Sequence, residues 1–454
     1  MRLATSLIVL KDPENPMIYW ARRGPTAPFL ASFNVFPGGL VDSTETDTFD
    51  DKDQRLKACL IREVMEETGA DISSSVHKLE YLGRWITPPY LVYPLETHFY
   101  ALWVDTDVFR DVVPGHELVD GCWITPHDAM ALWRSGNVRL VPPTQAILKG
   151  LLSAGVSGAT LALESTEASG REPTFSPIQP DMMMIPLRTP TLPPATHTNC
   201  YILGDKELLV VEPAAYDATV RADLYQYLDD RIQSGCEIKA FVTTHHHRDH
   251  IGGLVDCHER YGAPIWAHRE TANRVAFEVH EFLDDGDVIE LENGQAWEVL
   301  FTPGHAPGHI CLYEQRSAVM VVGDMVAGLG SILVEPTEGC MSSYLESLRR
   351  IRDRAPTCLL PSHGPYVANS IEKLDQYIDH RLAREQSLLD ALRKTDDFLQ
   401  LVEQVYSDTP LPLRSGPKGG LAGLSLLAHL NKLVMDGCVR PNSDETWTLI
   451  NSTG

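Results

Sequence analysis

Residues 240–253 read Ala240-Phe241-Val242-Thr243-Thr244-His245-His246-His247-Arg248-Asp249-His250-Ile251-Gly252-Gly253. Ala240 to Val242 is a short apolar strand, and a burst of polar side chains follows at once. Ligands bind at strand ends in open α/β sheets. One histidine in such a place is more often a satisfied structural residue than a ligand. Four histidines and an aspartate within six positions have no core explanation, and a solvated loop does not concentrate imidazole this way. Asp249 and the Gly252-Gly253 pair set the stretch apart from a plain polyhistidine tract. It reads as a metal-ligand set. Imidazole and carboxylate suit zinc, with manganese or iron as alternatives.

Working outward, further donors of the same type follow apolar runs. Thr302-Pro303-Gly304-His305-Ala306-Pro307-Gly308-His309 comes after Trp297–Phe301. Gly323-Asp324 comes after Ala318–Val322, and Pro361-Ser362-His363-Gly364-Pro365 after Cys358–Leu360. Each places one donor just beyond a strand, with glycines that let the backbone approach closely. Taken in order, His245-x-His247-x-Asp249-His250, His305, Asp324 and His363 resemble the signature of the metallo-β-lactamase fold. The resemblance spans about residues 181–365, including Thr198-Asn199-Cys200-Tyr201-Ile202-Leu203-Gly204. It implies an αββα sandwich holding two zinc ions. His245, His247 and His305 would bind the first and Asp249, His250 and His363 the second, with Asp324 bridging both. Asp249 would also orient the nucleophile. Such an ion pair lowers the pKa of a water and clamps charge developing on an ester. The aspartate at 324, where true lactamases carry cysteine, points to the dinuclear hydrolases rather than to antibiotic hydrolysis. His309 is read either as a partner of a ligand or as a contact to the leaving group.

A second cluster lies upstream, at Arg62-Glu63-Val64-Met65-Glu66-Glu67-Thr68-Gly69-Ala70. On a helix Glu63, Glu66 and Glu67 fall at i, i+3 and i+4 and share one face. A solvated acidic face closed by a Gly C-cap is the simplest reading. Three acids on one turn repel each other, however, unless a cation sits among them, and Mg²⁺ takes carboxylate oxygens. Phe36-Pro37-Gly38-Gly39 is a tight backbone that could approach the same ion. With Gly39 and Glu45, this stretch resembles the Nudix box. Sixteen residues separate Glu45 from Arg62 where the pattern has seven, a nine-residue insertion. Arg84-Trp85-Ile86-Thr87-Pro88 and Leu140-Val141-Pro142-Pro143-Thr144 add resemblance to the coenzyme A diphosphatase-like branch, over roughly residues 1–150. This implies an α/β/α sandwich in which Glu63, Glu66 and Glu67 hold Mg²⁺ or Mn²⁺. Glu63 or Glu67 would serve as base, and Arg62 would orient a carboxylate by a bidentate pair. Glu117 is a candidate extra ligand from a later loop.

The chain has 454 residues, with 38 Lys+Arg against 62 Asp+Glu, a formal charge of −24. Apolar and charged fractions of 43% and 22% exclude wholesale disorder. The acid argues against a broadly basic nucleic-acid surface. No apolar run is read as a membrane span. The nine cysteines show no Cys-x-x-Cys pair, so a reducing cytoplasm is expected. The expected division is a Nudix domain at 1–152 and a Ser/Gly/Ala-rich linker at 153–180. A metallo-β-lactamase-fold domain follows at 181–367, then a helical winged-helix-like module at 368–454. The tail, with His380-Arg381, Arg384-Glu385-Gln386 and leucines at 424, 427, 430 and 433, resembles the β-lactamase-like protein 2 branch. The animal member of that branch is a single-strand-specific endoribonuclease. The expectation is a bifunctional metal-dependent hydrolase: an endoribonuclease-like phosphodiester hydrolase coupled to a diphosphatase of nucleoside diphosphate derivatives. The alternative is a glyoxalase II-like thioester hydrolase beside a coenzyme A diphosphatase or a catalytically silent Nudix regulatory module. Expected partners are a nucleotide or coenzyme A derivative, single-stranded RNA under the first reading, and a second copy of the chain if the tail dimerises.

Overall fold

The computed structural model describes residues 2–27, 30–87, 95–105, 109, 112–113, 117–169, 176–442 and 446–450. Pro88 and residues 170–175 of the expected linker lie outside the described residues. The chain forms two compact units, Met1–Pro186 and Leu187–Gly454.

The first unit is built on a six-stranded mixed sheet. Its order is Asn34–Val35, Met17–Arg23, Arg2–Lys11, Leu95–Trp103, Glu80–Ile86, with Leu118–Ile124 also pairing with Met17–Arg23. Arg2–Lys11 carries the continuous apolar run Leu7-Ile8-Val9-Leu10, buried on both faces. Such a run suits a central strand covered on two sides, and this one pairs in parallel with Leu95–Trp103. The helix Lys52–Thr68 starts on Asp51, whose side chain accepts from Gln54 N, and stops at Gly69 in the left-handed region. Leu56, Leu60 and Val64 recur every four residues and pack into the core beside Leu7 and Val9. The carboxylate cluster occupies the other side of the last turns.

The insertion is absorbed locally. It forms the separate helix Ser43–Thr48 and the first turn of Lys52–Thr68. Asp42 and Glu45 close a capping box at its start. Lys52 Nζ lies 2.9 Å from Glu96 Oε1, which ties the added segment to the sheet.

The stretch 153–180, expected as a linker, is helical to Ser169 and forms a strand at Ser176–Gln179. Pro142–Ser169 breaks at Ala154 and Gly155. A Cβ on Gly150 would fall 2.4 Å from Gly158 O, so the absent side chains allow the two halves to lie against each other. Val156, Ala159 and Leu163 recur at helical spacing and reach the core. Small residues that look like linker composition serve here for close helix packing. By length and composition Pro142–Glu164 could also cross a membrane, unlike the sequence reading. The break divides it, however, and Ile147, Leu148, Ala159 and Leu163 are in the core.

The second unit carries two sheets. The first runs Glu281–Phe282, Ile265–Ala267, Glu237–Val242, Glu207–Val211, His197–Leu203. The second runs Val288–Glu290, Ala296–Phe301, Ile310–Glu314, Val319–Gly323, Cys358–Pro361. His197–Leu203 and Val319–Gly323 are buried along their whole length. Helix Met341–Asp353 lays Tyr344, Leu345, Leu348 and Ile351 on the second sheet, and Leu374, Tyr377 and Ile378 of Ser370–Leu392 join that core.

The tail continues with helices Phe398–Val405, Leu411–Arg414 and Gly420–Met435 and a hairpin of Val439–Pro441 with Trp447–Leu449. The inward stripe of Gly420–Met435 is Ala422, Leu426, Leu430 and Leu433. The 424-427-430-433 reading therefore captured its later half only. His429 is buried on this helix, and neither ring nitrogen hydrogen-bonds among the described residues. Burial first, then the charges of Arg381, Lys432, His380 and Arg384, hold its pKa down to about 3. The unfolded value is about 6.5, so the unfolded chain binds a proton that the fold refuses. The stability contribution is complete above about pH 6.5 and is lost as pH falls toward 3. His429→Leu is expected to reduce acid destabilisation between neutral pH and about pH 4 by up to about 3 kcal/mol. Urea midpoints at both pH values check this, and an unchanged difference between them would remove His429 as the cause.

Candidate metal centre

Every donor predicted in the second unit sits just past a strand. Glu237–Val242 leads to His245 and His247, and then to the short helix Arg248–Ile251 that carries Asp249 and His250. Ala296–Phe301 leads to His305, Val319–Gly323 to Asp324, and Cys358–Pro361 to His363. All seven residues meet. His247 Nδ1 lies 2.9 Å from His245 Nε2 and 3.0 Å from His305 Nε2. The donors of Asp249, His250 and His363 form a second group within 4.8 Å of one another. Asp324 stands between the groups. Its Oδ2 is 3.5 Å from His305 Nε2 and 3.6 Å from His250 Nε2, and its Oδ1 is 3.3 Å from His363 Nε2.

The outer ring nitrogens decide what the inner ones offer. His305 Nδ1 donates to Leu333 O at 2.8 Å, and His363 Nδ1 to His197 O at 2.9 Å. A carbonyl can only accept, so in the neutral ring the proton is outside and the Nε2 lone pair faces inward. Thr244 Oγ1 gives its proton to Glu212, so it accepts from His245 Nδ1 at 3.0 Å. His250 Nδ1 donates to Glu212 Oε1 at 2.9 Å. Partners of this kind fix the ring and its tautomer for a metal.

The field at the site calls for a cation. Burial, then neighbouring His250, His247 and His305, holds His245 well below the usual imidazole range. Burial brings His305 down to about 4, against the pull of Asp324. Burial would also lower His250, but Glu212, Asp324 and Asp249 outweigh it and hold it well above its ordinary value. Burial alone would raise Asp324, yet His363 and His250 hold it well below the carboxylate range. Buried His250 Nε2 and Asp324 Oδ1 make no hydrogen bond among the described residues. Inward lone pairs, clustered carboxylates and these two orphaned atoms fit a pair of divalent ions.

His309 is bonded to the backbone of a ligand residue. Its Nε2 accepts from Asp324 N at 3.1 Å, and Nδ1 meets Thr302 Oγ1 at 2.9 Å. The Thr198–Gly204 stretch is a staple. Thr198 Oγ1 donates to Asp249 O, and Asn199 Nδ2 to Pro361 O and Gly364 O, each at 2.8 Å.

Two carboxylates escaped the sequence reading. Glu212 ends the strand Glu207–Val211 and accepts from Thr244, His250 and Ser362 Oγ. Its position one residue past an apolar strand is the signal that could have found it. Glu338 lies in the loop before Met341–Asp353 and accepts from His246 Nε2 at 2.9 Å and His247 Nε2 at 2.6 Å. No spacing announces it.

In the first unit, Glu63, Glu66 and Glu67 do share the end of one helix. Among the described residues, the donor groups that close to within 4.8 Å are all in the second unit. Arg62 explains the difference, because it reaches among the acids. Its Nη1 lies 2.9 Å from Glu63 Oε1 and 3.3 Å from Glu66 Oε2. The expected bidentate contact is to Glu45, at 2.7 Å from Nε and 3.5 Å from Nη2. A Cβ on Gly39 would fall 2.3 Å from the Glu63 carboxylate, so glycine lets the loop lie on the cluster. Gly38 N donates to Glu67 Oε2 at 2.9 Å. Burial raises Glu67 to about 8, partly offset by that bond, with Glu63 adding repulsion. Burial also raises Glu63, against the charge of Arg62. Glu117 pairs with Arg23, and its charge reaches both Glu63 and Glu67. Crowded, partly buried acids under a glycine loop fit a hard divalent ion.

Residues 193–363 match the family model of the metallo-β-lactamase superfamily, and residues 1–142 match that of the NUDIX domain. The chain thus carries a NUDIX region followed by a metallo-β-lactamase-superfamily region, both of hydrolase families, and is a metal-dependent hydrolase. Among its relatives is a β-lactamase-like protein 2 homologue of Caenorhabditis elegans, 29% identical over 269 residues, covering 56% of this chain and 85% of that protein. A hydroxyacylglutathione hydrolase of Pelagibacter ubique is 30% identical over 152 residues, covering 34% and 60%. The solved structure of a β-lactamase domain protein from Burkholderia ambifaria shares the fold, at TM-score 0.52 and 20% identity, covering 61% and 93%.

Proposed function

We propose that the chain carries two hydrolytic sites: a dinuclear zinc site that cleaves thioesters, and a Nudix site that cleaves the diphosphate of a nucleotide or coenzyme A derivative. The position of Asp324 between two sets of imidazoles carries the first half. When bound, two ions there supply Lewis acidity that acidifies a water and neutralises charge developing on the substrate. His245, His247 and His305 would hold one ion, and Asp249, His250 and His363 the other. Asp249, more exposed than Asp324, would orient the attacking water. Glu212, His309 and Thr244 keep the ligands in register. In the Nudix half, Glu63, Glu66 and Glu67 would hold Mg²⁺ or Mn²⁺, with Glu63 or Glu67 taking a proton from the attacking water. A thioesterase and a coenzyme A diphosphatase would meet on acyl-coenzyme A chemistry, and the hydroxyacylglutathione hydrolase relative supports the thioester.

A second reading, cleavage of single-stranded RNA, is favoured by the length of the match to the β-lactamase-like protein 2 homologue. The helices and terminal hairpin of the tail support a winged-helix-like module. From Tyr366 to Gly454, however, nine Lys+Arg stand against twelve Asp+Glu. A surface that grips phosphates is ordinarily basic. The purified chain, loaded with Zn²⁺ or Mn²⁺, is to be tested on acyl-glutathione, acyl-coenzyme A and single-stranded RNA, with Asp249→Ala as control. Thioester turnover falling at least about 100-fold in the variant is expected. RNA cleavage that Asp249→Ala abolishes, without thioester turnover, would replace this reading with the second.

A further inference from the structure

Resting on the dinuclear reading above, we infer that Glu338 is the positioning residue of the first ion site, because its carboxylate spans the Nε2 atoms of His246 and His247. Of the histidines that meet at the centre, His247 alone turns Nδ1 inward. His245, His305, His250 and His363 all present Nε2. Its Nε2 therefore points away from the site and needs an acceptor of its own. Glu338 Oε1 is that acceptor, at 2.6 Å. A carboxylate only accepts, so this bond places the proton on Nε2 and leaves the Nδ1 lone pair for the ion. It also makes the imidazole a more basic ligand. The other oxygen takes His246 Nε2 at 2.9 Å, so His246 is a strut that keeps Glu338 in place.

The arrangement divides between the two ion sites. In the second set, His250 is backed by Glu212, which is wholly buried. In the first set, the charged backing comes from Glu338, whose side chain is 31% exposed. The same loop supplies Leu333 O to His305. One surface loop thus accepts from two of the three imidazoles of the first site, and on the second set it reaches the backbone of His363, through Gly328 N, rather than a ring. Buried Glu212 backs a ligand of each set, His250 directly and His245 through Thr244, while the loop that solvent reaches backs the other two imidazoles of the first.

The test is a zinc titration of the full chain, stripped of metal and kept in excess Mg²⁺ to occupy the Nudix site. Wild type is expected to bind two zinc ions. Glu338→Ala should weaken one of them about 10- to 100-fold and leave the other within a few-fold. Glu338→Gln, which keeps an acceptor but loses the charge, should fall between. His246→Ala should have the smallest effect. Melting of the metal-free proteins should coincide, since the bond acts on the ion and not on the core. If Glu338→Ala lowers that melting point, Glu338→Gln decides. Two zinc ions at wild-type affinity in Glu338→Gln and Glu338→Ala would overturn the role of Glu338 and leave the dinuclear reading intact. Failure of wild type to bind zinc would overturn both.

Discussion

Asp324→Ala is expected to remove hydrolysis at the second-unit site, by at least about 100-fold in kcat/KM. Loss of a group that merely supports a metal ligand costs 10- to 100-fold, and Asp324 is placed to do more. Its two oxygens face imidazoles of both sets, at 3.3 to 3.6 Å from His363, His250 and His305. Removing it leaves histidines drawn together with no anion between them. Zinc content should fall below two per chain, while Nudix turnover stays unchanged. Asp324→Asn keeps the shape and removes the charge, so it should lose metal too. A variant that keeps both zinc ions and most of its turnover would show that the carboxylate does not bridge the two sets.

Glu67→Gln is the matching experiment in the first unit. The Glu67 carboxyl is buried behind the Gly38-Gly39 loop and raised to about 8 by that burial. Glutamine retains an oxygen for the Gly38 amide, so the loop should hold. What is lost is a charge for the ion and a base for the water, which together set a loss of about 100- to 10,000-fold in diphosphatase rate. Assays with Mg²⁺ on coenzyme A, NADH and ADP-ribose read the effect, with thioester turnover as internal control. Wild-type turnover with no loss on Glu67→Gln would take Glu67 out of the chemistry. No turnover by wild type at all would favour the silent, ligand-sensing role for this unit.

The parts of both sites that were legible in the sequence are those where chemistry is concentrated along the chain. His245, His247, Asp249 and His250 lie within six consecutive residues, and Glu63, Glu66 and Glu67 share a helix face at a spacing that periodicity predicts. His305, Asp324 and His363 could be read because each follows a strand. Glu338 was not, since a hydrogen bond to a ligand's outer nitrogen leaves no pattern in the chain, and Glu212 announces itself only by its place one residue past an apolar strand. The helical half after Gly155 was hidden for another reason: serine, glycine and alanine serve a linker and a tight helix pair equally well. The leucine spacing of Gly420–Met435 misses its first turns, where Ala422 and Leu426 rather than Leu424 face the core.

The added segment between Glu45 and Arg62 has a consequence for how such a domain can change. Its two ends are held to each other by the Arg62–Glu45 contact, and Lys52 ties its middle to Glu96, so the chain between them is a closed excursion. For a flexible loop, growth from seven to sixteen residues costs only about 0.7 kcal/mol of closure entropy. The part ahead of the helix, 46–50, is therefore a natural graft point: shortened, lengthened or exchanged for a foreign peptide, it should leave Leu56 and Leu60 in the core and the approach of Gly39 to Glu63 as it is.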